Sequence, residues 1–191
     1  MLFRSAAANG QEPGDIKVQD VDGNGVITTD DRIIYSQRPD VTFGFNNTFN
    51  YKGFDLSVFL YARLGQWIAY DYNTTYRINA LENGGNVDYW TPENPTNAFP
   101  RPNKSKSYTQ VTYYSTLKYE DGSFFKIRDI TLGYTFKPEL LKHLNLSRLR
   151  VYATAKNFFT FSKIDNYDPE QGGSISFPMT KQLVFGLNVE F

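Results

Sequence analysis

The residues best suited to bind a ligand lie near the start of the chain, in a run of closely spaced oxygen-bearing side chains. Asp20, Asp22 and Asn24 alternate with other residues, and Asp31 stands at the twelfth position of the run. Calcium loops have this pattern, with ligands at positions 1, 3, 5, 7 and 12 and a glycine at position 6 for the sharp turn. Position 7 contributes its backbone carbonyl, here that of Val26. The spacing therefore predicts a calcium site formed by these five residues.

Two features of this run depart from the usual calcium loop. Position 12 is an aspartate, whose arm is shorter than that of the usual bidentate glutamate. The preceding segment contains Pro13 and Gly14 and cannot form a proper entering helix. A tight turn that is stabilised by side-chain hydrogen bonds, without metal, explains the same residues. The sequence leaves both interpretations open, and in neither is the segment an EF-hand domain.

The sequence contains few residues that are suited to catalysis. The chain has no cysteine and a single histidine, His143, so a catalytic triad or a zinc site lacks its components. The carboxylate pairs Glu120/Asp121 and Asp168/Glu170 have no spacing that would oppose them across a glycosidic bond. The 20 basic and 20 acidic residues cancel, which gives no indication of a nucleic-acid partner. We therefore expect a protein that is not an enzyme and does not bind nucleic acid.

The aromatic content indicates an unusual kind of strand. Sixteen Phe, fourteen Tyr and two Trp make 17% of the chain aromatic, yet only 40% of it is hydrophobic and the mean hydropathy is −0.48. Soluble cores rely mainly on Leu, Ile, Val and Ala. Transmembrane β-strands instead alternate apolar with polar residues and carry aromatic girdles. No run of eighteen apolar residues is present, as a membrane helix would require.

Aromatic side chains also concentrate in the long polar segment 65–122. Aromatic rings stack on sugars, and loops on a rigid scaffold commonly carry recognition. Tyr89, Trp90 and Phe99 are therefore candidate substrate-binding residues. The alternative is that the loop packs on itself, and for Trp90, which lies beside a proline-rich stretch, we prefer that interpretation.

From Val41 onward the sequence alternates with a period of two, which predicts β-strands. The expected fold is all-β, an antiparallel meander of about five long strands with Lys52-Gly53 as a tight turn. Short connections alternate with long ones, as do the periplasmic turns and outer loops of membrane barrels. The strands would cover 41–191, after a polar loop at 11–40 that contains the calcium-like run. Five strands cannot close a wide barrel, so we expect an open sheet.

One strand interrupts this alternation. Lys126 and Arg128 share their parity with the apolar residues Ile130 and Leu132. Cations that face lipid are unfavourable. Either this end of the strand projects beyond the membrane, or a β-bulge resets the register.

Residues 1–10 are expected to be irregular or foreign to the protein. They lack the apolar core of a signal peptide. Because a barrel protein must be exported, we expect the natural N-terminus to lie upstream of this chain.

Seven stretches resemble, in order and spacing, the C-terminal part of the SusC/RagA family of TonB-dependent outer-membrane transporters. They are GDIK at 14–17, DVDGNGVI at 20–27, NNTF at 46–49 with YKGFDLS at 51–57, YWTPENP at 89–95, EDGS at 120–123, ITLGY at 130–134, and NFFTF at 157–161 with YDPE at 167–170.

The resemblance implies a bacterial outer-membrane barrel that holds an N-terminal plug and imports oligosaccharides or peptides. It implies a SusD-like surface lipoprotein and the TonB complex as partners, with membrane lipid around the barrel. Gly186, Val189 and Phe191 match the terminal signal that the barrel-insertion machinery reads. The alternative is a soluble or surface-anchored β-sandwich that binds glycans, which would bury the apolar faces of 54–64 and 183–191.

Overall fold

The computed structural model describes residues 12–16, 18–70, 72, 88–101 and 115–191, so the N-terminal residues 1–10 lie outside it. In these ranges the chain forms seven strands, two short α-helices and three 3-10 turns. The strands are β1 (Val41–Tyr51), β2 (Phe54–Leu64), β3 (Trp67–Ala69), β4 (Tyr119–Asp121), β5 (Phe124–Thr135), β6 (Arg148–Ser162) and β7 (Gln182–Glu190). The helices are α1 (Ser115–Lys118) and α2 (Pro138–Leu141), and the 3-10 turns are Thr29–Asp31, Lys142–Leu144 and Pro169–Gln171.

The five long strands form one antiparallel sheet in the order β1-β2-β5-β6-β7. The prediction of an open meander is confirmed, because the long strands follow chain order and β1 and β7 are the two edges of the sheet. The long segment between β2 and β5 contains the short strands β3 and β4, which pair in a second sheet. The sequence pattern missed these three-residue strands because they are too short to show a period.

The chain divides into two compact units. One comprises residues 38–67, 121–171 and 176–191 and contains the five-stranded sheet. The other comprises the described parts of 1–37 and 68–120 together with 172–175. The first unit carries the strand framework, and the second carries the calcium-like run and the aromatic segment.

The sheet has one apolar face and one polar face. Along each strand successive side chains point to opposite faces, so the register sorts them. The apolar face includes Phe43, Phe45, Phe49, Leu56, Val58, Leu132, Val151, Phe185 and Leu187. The polar face includes Asn46, Ser57, Asp55, Thr131, Thr154, Arg150 and Asn188.

The apolar face is uncovered. Phe185 is 75% exposed, Leu187 68% and Phe49 62%, which a second packed sheet would prevent. The sandwich alternative is therefore wrong for the described part of the chain. An apolar face of this size is compatible with lipid as its surroundings.

A bulge in β5 resolves the conflict over Lys126 and Arg128. Asp129 pairs with Phe59 and Ile127 with Leu60, consecutive residues of β2, which leaves Arg128 as the extra residue of β5. The register also shifts on the β6 side, where Asn157 and Phe158 lie between the partners of Ile127 and Asp129. Placing these cations on the lipid side by parity is therefore wrong, because the bulge moves both side chains to the polar face. The bulge explanation is the one that the structure supports.

The β1–β2 turn fixes the register of the first hairpin. Lys52 and Gly53 have φ angles of 47° and 88°, the left-handed pair that a two-residue hairpin turn needs. A Cβ on Gly53 would lie 2.8 Å from the carbonyl oxygen of Thr135, so glycine is required for space as well. Tyr51 then pairs with Phe54, and the apolar residues of both strands share one face.

The β5–β6 connection is a compact helical turn. Pro138 begins α2, where its missing N–H leaves no hydrogen bond unsatisfied. Leu141 is buried, and Asn145 ends the following 3-10 turn in the left-handed conformation. Within the described residues, no helix combines the length and apolar character that crossing a bilayer demands.

Candidate functional site

The calcium-like run folds so that three of its carboxylates converge. Ligand oxygens of Asp20, Asp22 and Asp31 all lie within 4.8 Å of one another. Calcium binds oxygen at about 2.3–2.6 Å, so ligands on opposite sides of one ion are about 5 Å apart. The three predicted carboxylates therefore fit around a single cation.

Backbone amides hold these carboxylates in place. Asp20 accepts hydrogen bonds from the N–H groups of Gly23 and Gly25 at 2.7 and 2.8 Å. Asn24 is arranged differently, since its Nδ2 donates to Asp22 at 2.7 Å and its Oδ1 accepts from the Val26 N–H at 2.7 Å. The same hydrogen bonds would also stabilise a turn without metal, which is the alternative interpretation. Metal ligation by Asn24 and by the Val26 carbonyl stays a prediction.

The Asp31 side chain links the two ends of the run through hydrogen bonds to backbone N–H groups. Its carboxylate accepts the N–H of Thr28 and that of Val21, each at 2.7 Å. Led by the Thr28 bond, these hydrogen bonds hold the pKa of Asp31 below its usual range. The contribution of this carboxylate to loop stability is present above the ordinary carboxyl pKa and lost as the pH falls through the lowered one. The short side chain at position 12 thus serves as a cap for the 3-10 turn Thr29–Asp31.

The three predicted substrate-binding aromatics lie together on one small element. Tyr89 and Phe99 form an isolated parallel β-bridge, and the Trp90 N–H donates to the Phe99 carbonyl at 3.1 Å. Tyr89 is exposed, whereas Trp90 and Phe99 are half-buried. Only Tyr89 thus offers much of its ring to a ligand, and substrate binding by all three residues stays a prediction.

Trp90 packs against the segment that precedes the calcium-like run. A Cβ on Gly14, whose φ is 87°, would overlap the Trp90 ring, so the glycine lies flat on the indole. Arg101 fastens the same turn, since its Nε lies 2.9 Å from Asp15 and its Nη2 2.5 Å from Glu12. These contacts agree with the preferred interpretation of Trp90 as a loop-packing residue.

The polar face of the sheet carries a cross-strand ion pair at one end. Arg150 donates from Nε and Nη2 to the two carboxylate oxygens of Asp55 at 2.9 and 2.5 Å. The pair spans β5 at Gly133, where a Cβ would lie 2.5 Å from both partners. Nearby, the hydroxyls of Thr131 and Thr154 lie 2.8 Å apart. Hydrogen bonds therefore tie β2, β5 and β6 together across this face.

A buried ion-pair cluster lies at the other end of the polar face, and sequence reasoning missed it. Lys126 is fully buried, with its Nζ 2.6 Å from Asp168 and 2.9 Å from Glu170. Glu170 also lies 3.1 Å from Arg128. The cluster fastens the β6–β7 loop to β5. The available signal was a pair of cations at apolar parity together with two closely spaced carboxylates in a later loop.

The predicted insertion-signal residues lie in or just after β7. Gly186 pairs with Tyr152, and a Cβ there would overlap the tyrosine ring, so packing alone calls for glycine. Val189 belongs to the apolar face, and Phe191 follows the strand with 93% of its surface exposed. Recognition of these residues by the insertion machinery stays a prediction.

Sequence comparison finds relatives that match nearly the whole chain. This chain is 31% identical over 203 residues to TonB-dependent receptor P3 of Formosa agariphila, and the match covers 94% of this chain and 19% of that receptor. It is 31% identical over 181 residues to TonB-dependent receptor SusC of Bacteroides thetaiotaomicron, covering 90% of this chain and 17% of SusC. No family model matches the chain. The chain spans about a fifth of the length of these relatives.

Comparison with solved structures agrees with the sequence comparison. A chain of the RagAB peptide transporter superposes with a TM-score of 0.69 at 26% identity, covering 94% of this chain and 20% of that chain. The RagAB peptide importer in its open-open state gives a TM-score of 0.67 at 26% identity over 91% of this chain and 20% of that chain. The open five-stranded sheet thus corresponds to a part of a larger structure.

Proposed function

Because this chain belongs to the SusC/RagA-type TonB-dependent receptors, which sit in the bacterial outer membrane, we propose that it forms barrel wall and outer loops of a nutrient importer. The observation that carries this proposal is the uncovered apolar face of the sheet, opposite a polar face that is crossed by ion pairs. Lipid on one side and an aqueous interior on the other satisfy both faces. In this arrangement the β1–β2 turn and α2 are periplasmic, and the long loops are extracellular.

The proposed cargo is an oligosaccharide or a peptide. The similar RagAB structures are those of a peptide importer, which supports the peptide class. A SusD-like surface lipoprotein is the proposed partner at the outer face, and the likeness to the RagAB assembly supports it. The TonB complex would energise import through parts of the receptor outside this chain, and the insertion machinery would read β7.

Deletion of the gene for the full-length receptor tests import. The deletion strain should lose growth and uptake on one class within a panel of oligosaccharides and peptides, and the intact gene should restore both. TonB depletion should give the same loss. Unchanged growth and uptake across the whole panel would contradict the proposal, as would finding the receptor outside the outer membrane.

We also propose that the run 20–31 binds calcium and thereby stiffens an outer loop. The convergence of Asp20, Asp22 and Asp31 supports this, because three adjacent carboxylates repel one another unless a cation neutralises them. Two N–H bonds already orient Asp20, so little reordering accompanies binding. The role is structural, and it fits a loop that helps to seat the lipoprotein partner.

Calorimetry on the full-length receptor tests the calcium site. We expect a dissociation constant of about 0.1–1 mM, as in extracellular calcium modules. The double variant Asp20→Asn/Asp22→Asn should abolish binding and lower calcium-dependent protection of this loop from proteolysis. Asp30→Asn is the matched control, because Asp30 lies in the same run but outside the cluster. If calorimetry detects no heat of binding at millimolar calcium in the unmodified receptor, the metal-free turn is the correct interpretation of this run.

A further inference from the structure

Positive charge collects on the polar face at the level of the β5 bulge. The guanidinium carbons of Arg63 and Arg128 lie 5.5 and 5.4 Å from the ring centroid of Tyr61. The Nε of Arg63 also donates to the Tyr61 hydroxyl at 2.8 Å. Cation–π contact and this hydrogen bond hold both guanidinium groups at one ring, so their positions are set before any ligand arrives.

Cations outnumber carboxylates around that ring. The ammonium of Lys126 is neutralised by Asp168 and Glu170, and Arg128 shares Glu170 at 3.1 Å. Arg63 has no carboxylate within salt-bridge distance in the part of the chain that the structure describes. These five groups carry three positive charges and two negative ones, and the nearby Asp129 is paired with Lys156 at 3.7 Å. One guanidinium charge is therefore left for an external anion.

The backbone at this level departs from regular geometry in both neighbouring strands. Arg128 is the extra residue of β5 opposite β2, and Asn157, which lies at the register shift of β6, has a φ of 59°. A regular register would turn Arg128 toward the apolar face, whereas the bulge places it beside Asp129 on the polar face. Bulges commonly re-aim a side chain in this way at functional sites.

We propose that Arg63 and Arg128, held by Tyr61, form a binding site for an oxyanion carried by the imported substrate. A guanidinium matches the planar geometry of a carboxylate and binds it through two parallel hydrogen bonds. The side chain of Arg128 is 40% exposed, so a ligand on the polar face reaches it. The inference rests on the proposed import function and narrows the substrate class to acidic oligomers.

Matched pairs of charged and neutral probes test the site in the purified full-length receptor. One pair is hexagalacturonate and its methyl ester, and the other is a hexapeptide and its C-terminal amide. In at least one pair the charged member should bind about 10- to 100-fold more tightly, the range expected for charge-assisted hydrogen bonds. The pair that responds identifies a glycan or a peptide as the source of the carboxylate.

The double variant Arg63→Gln/Arg128→Gln should remove this preference, because it weakens binding of the charged member far more than binding of the neutral member. Arg148→Gln is the control, since Arg148 is an exposed arginine at the opposite end of β6, paired with Glu190 at 3.1 Å. If the glutamine variant inserts poorly, Arg63→Lys/Arg128→Lys keeps the charge, should insert, and should still lose most of the preference because the paired donors are gone.

Two outcomes overturn the inference: no charge preference for either probe pair in the unmodified receptor, or a preference that survives in the variants. Failure of the import function has a different signature. In that case the gene deletion leaves uptake unchanged across the panel, whatever the probes show. Uptake that depends on the gene, combined with no charge preference, removes the oxyanion site alone.

Discussion

Replacing Lys126 by methionine in the full-length receptor is expected to detach the β6–β7 loop from the sheet. Methionine fills a similar volume but leaves the Asp168 carboxylate without a cation and the Glu170 carboxylate with Arg128 alone. Both lie within 2.9 Å of the Lys126 ammonium, and their side chains are only 12% and 10% exposed. Removing one partner from a buried ion pair costs about 3–5 kcal/mol, because an uncompensated charge remains in a poorly solvated site.

Hydrogen exchange measures this effect directly. Peptides that cover 163–171 should lose protection, whereas those from β2 and the Asp55–Arg150 end of β6 should keep theirs, since the loop opens before the sheet does. Lys156→Met is the matched control, because Lys156 is half exposed and 3.7 Å from Asp129, and such pairs contribute about 0–1 kcal/mol. Equal protection of this loop in both variants would contradict the structural role of Lys126.

Substituting Gly133 by alanine should separate the ion pair that spans β5. The added Cβ would lie 2.5 Å from the Arg150 Nη2 and from an Asp55 oxygen, so the two side chains must move apart. Both are mostly buried and joined by two hydrogen bonds, and their loss costs about 2–3 kcal/mol. Unfolding of the full-length receptor in urea, followed by its mobility on gels, should begin at a lower denaturant concentration.

A matched glycine on the same face provides the control. A Cβ on Gly44 would lie 3.7 Å from the Phe59 ring, which is ordinary contact, so Gly44→Ala should be neutral or stabilise by about 0.5–1 kcal/mol. In a receptor that already carries Asp55→Leu and Arg150→Met, the pair is absent and Gly133→Ala should have little further effect. A full loss of stability in that background would place the cause elsewhere in β5.

Part of the candidate site could be read from the spacing of its residues. The pattern of Asp20, Asp22 and Asp31 predicted carboxylates around one point, and the fold brings them within 4.8 Å, because glycine turns and backbone amides are local in sequence. The packing partner of Trp90 could not be predicted in this way. Its packing on Gly14 joins segments more than seventy residues apart, and no local pattern encodes such a contact. The Lys126 cluster likewise joins residues that are 42 and 44 positions apart.

The sequence by itself determined the strand framework and the family resemblance. Alternation with a period of two, the Lys52-Gly53 turn and the alternating connection lengths specify five antiparallel strands in chain order, because each depends on neighbouring residues or on simple connectivity. Only the tertiary structure decided which face Lys126 and Arg128 occupy. A single extra residue in β5 reverses the face of every side chain that precedes it in the strand, and the cations that it moves pair with carboxylates from a distant loop. Local periodicity therefore cannot predict which face these cations occupy, because that depends on the extra residue and on charge pairing with residues far away in the sequence.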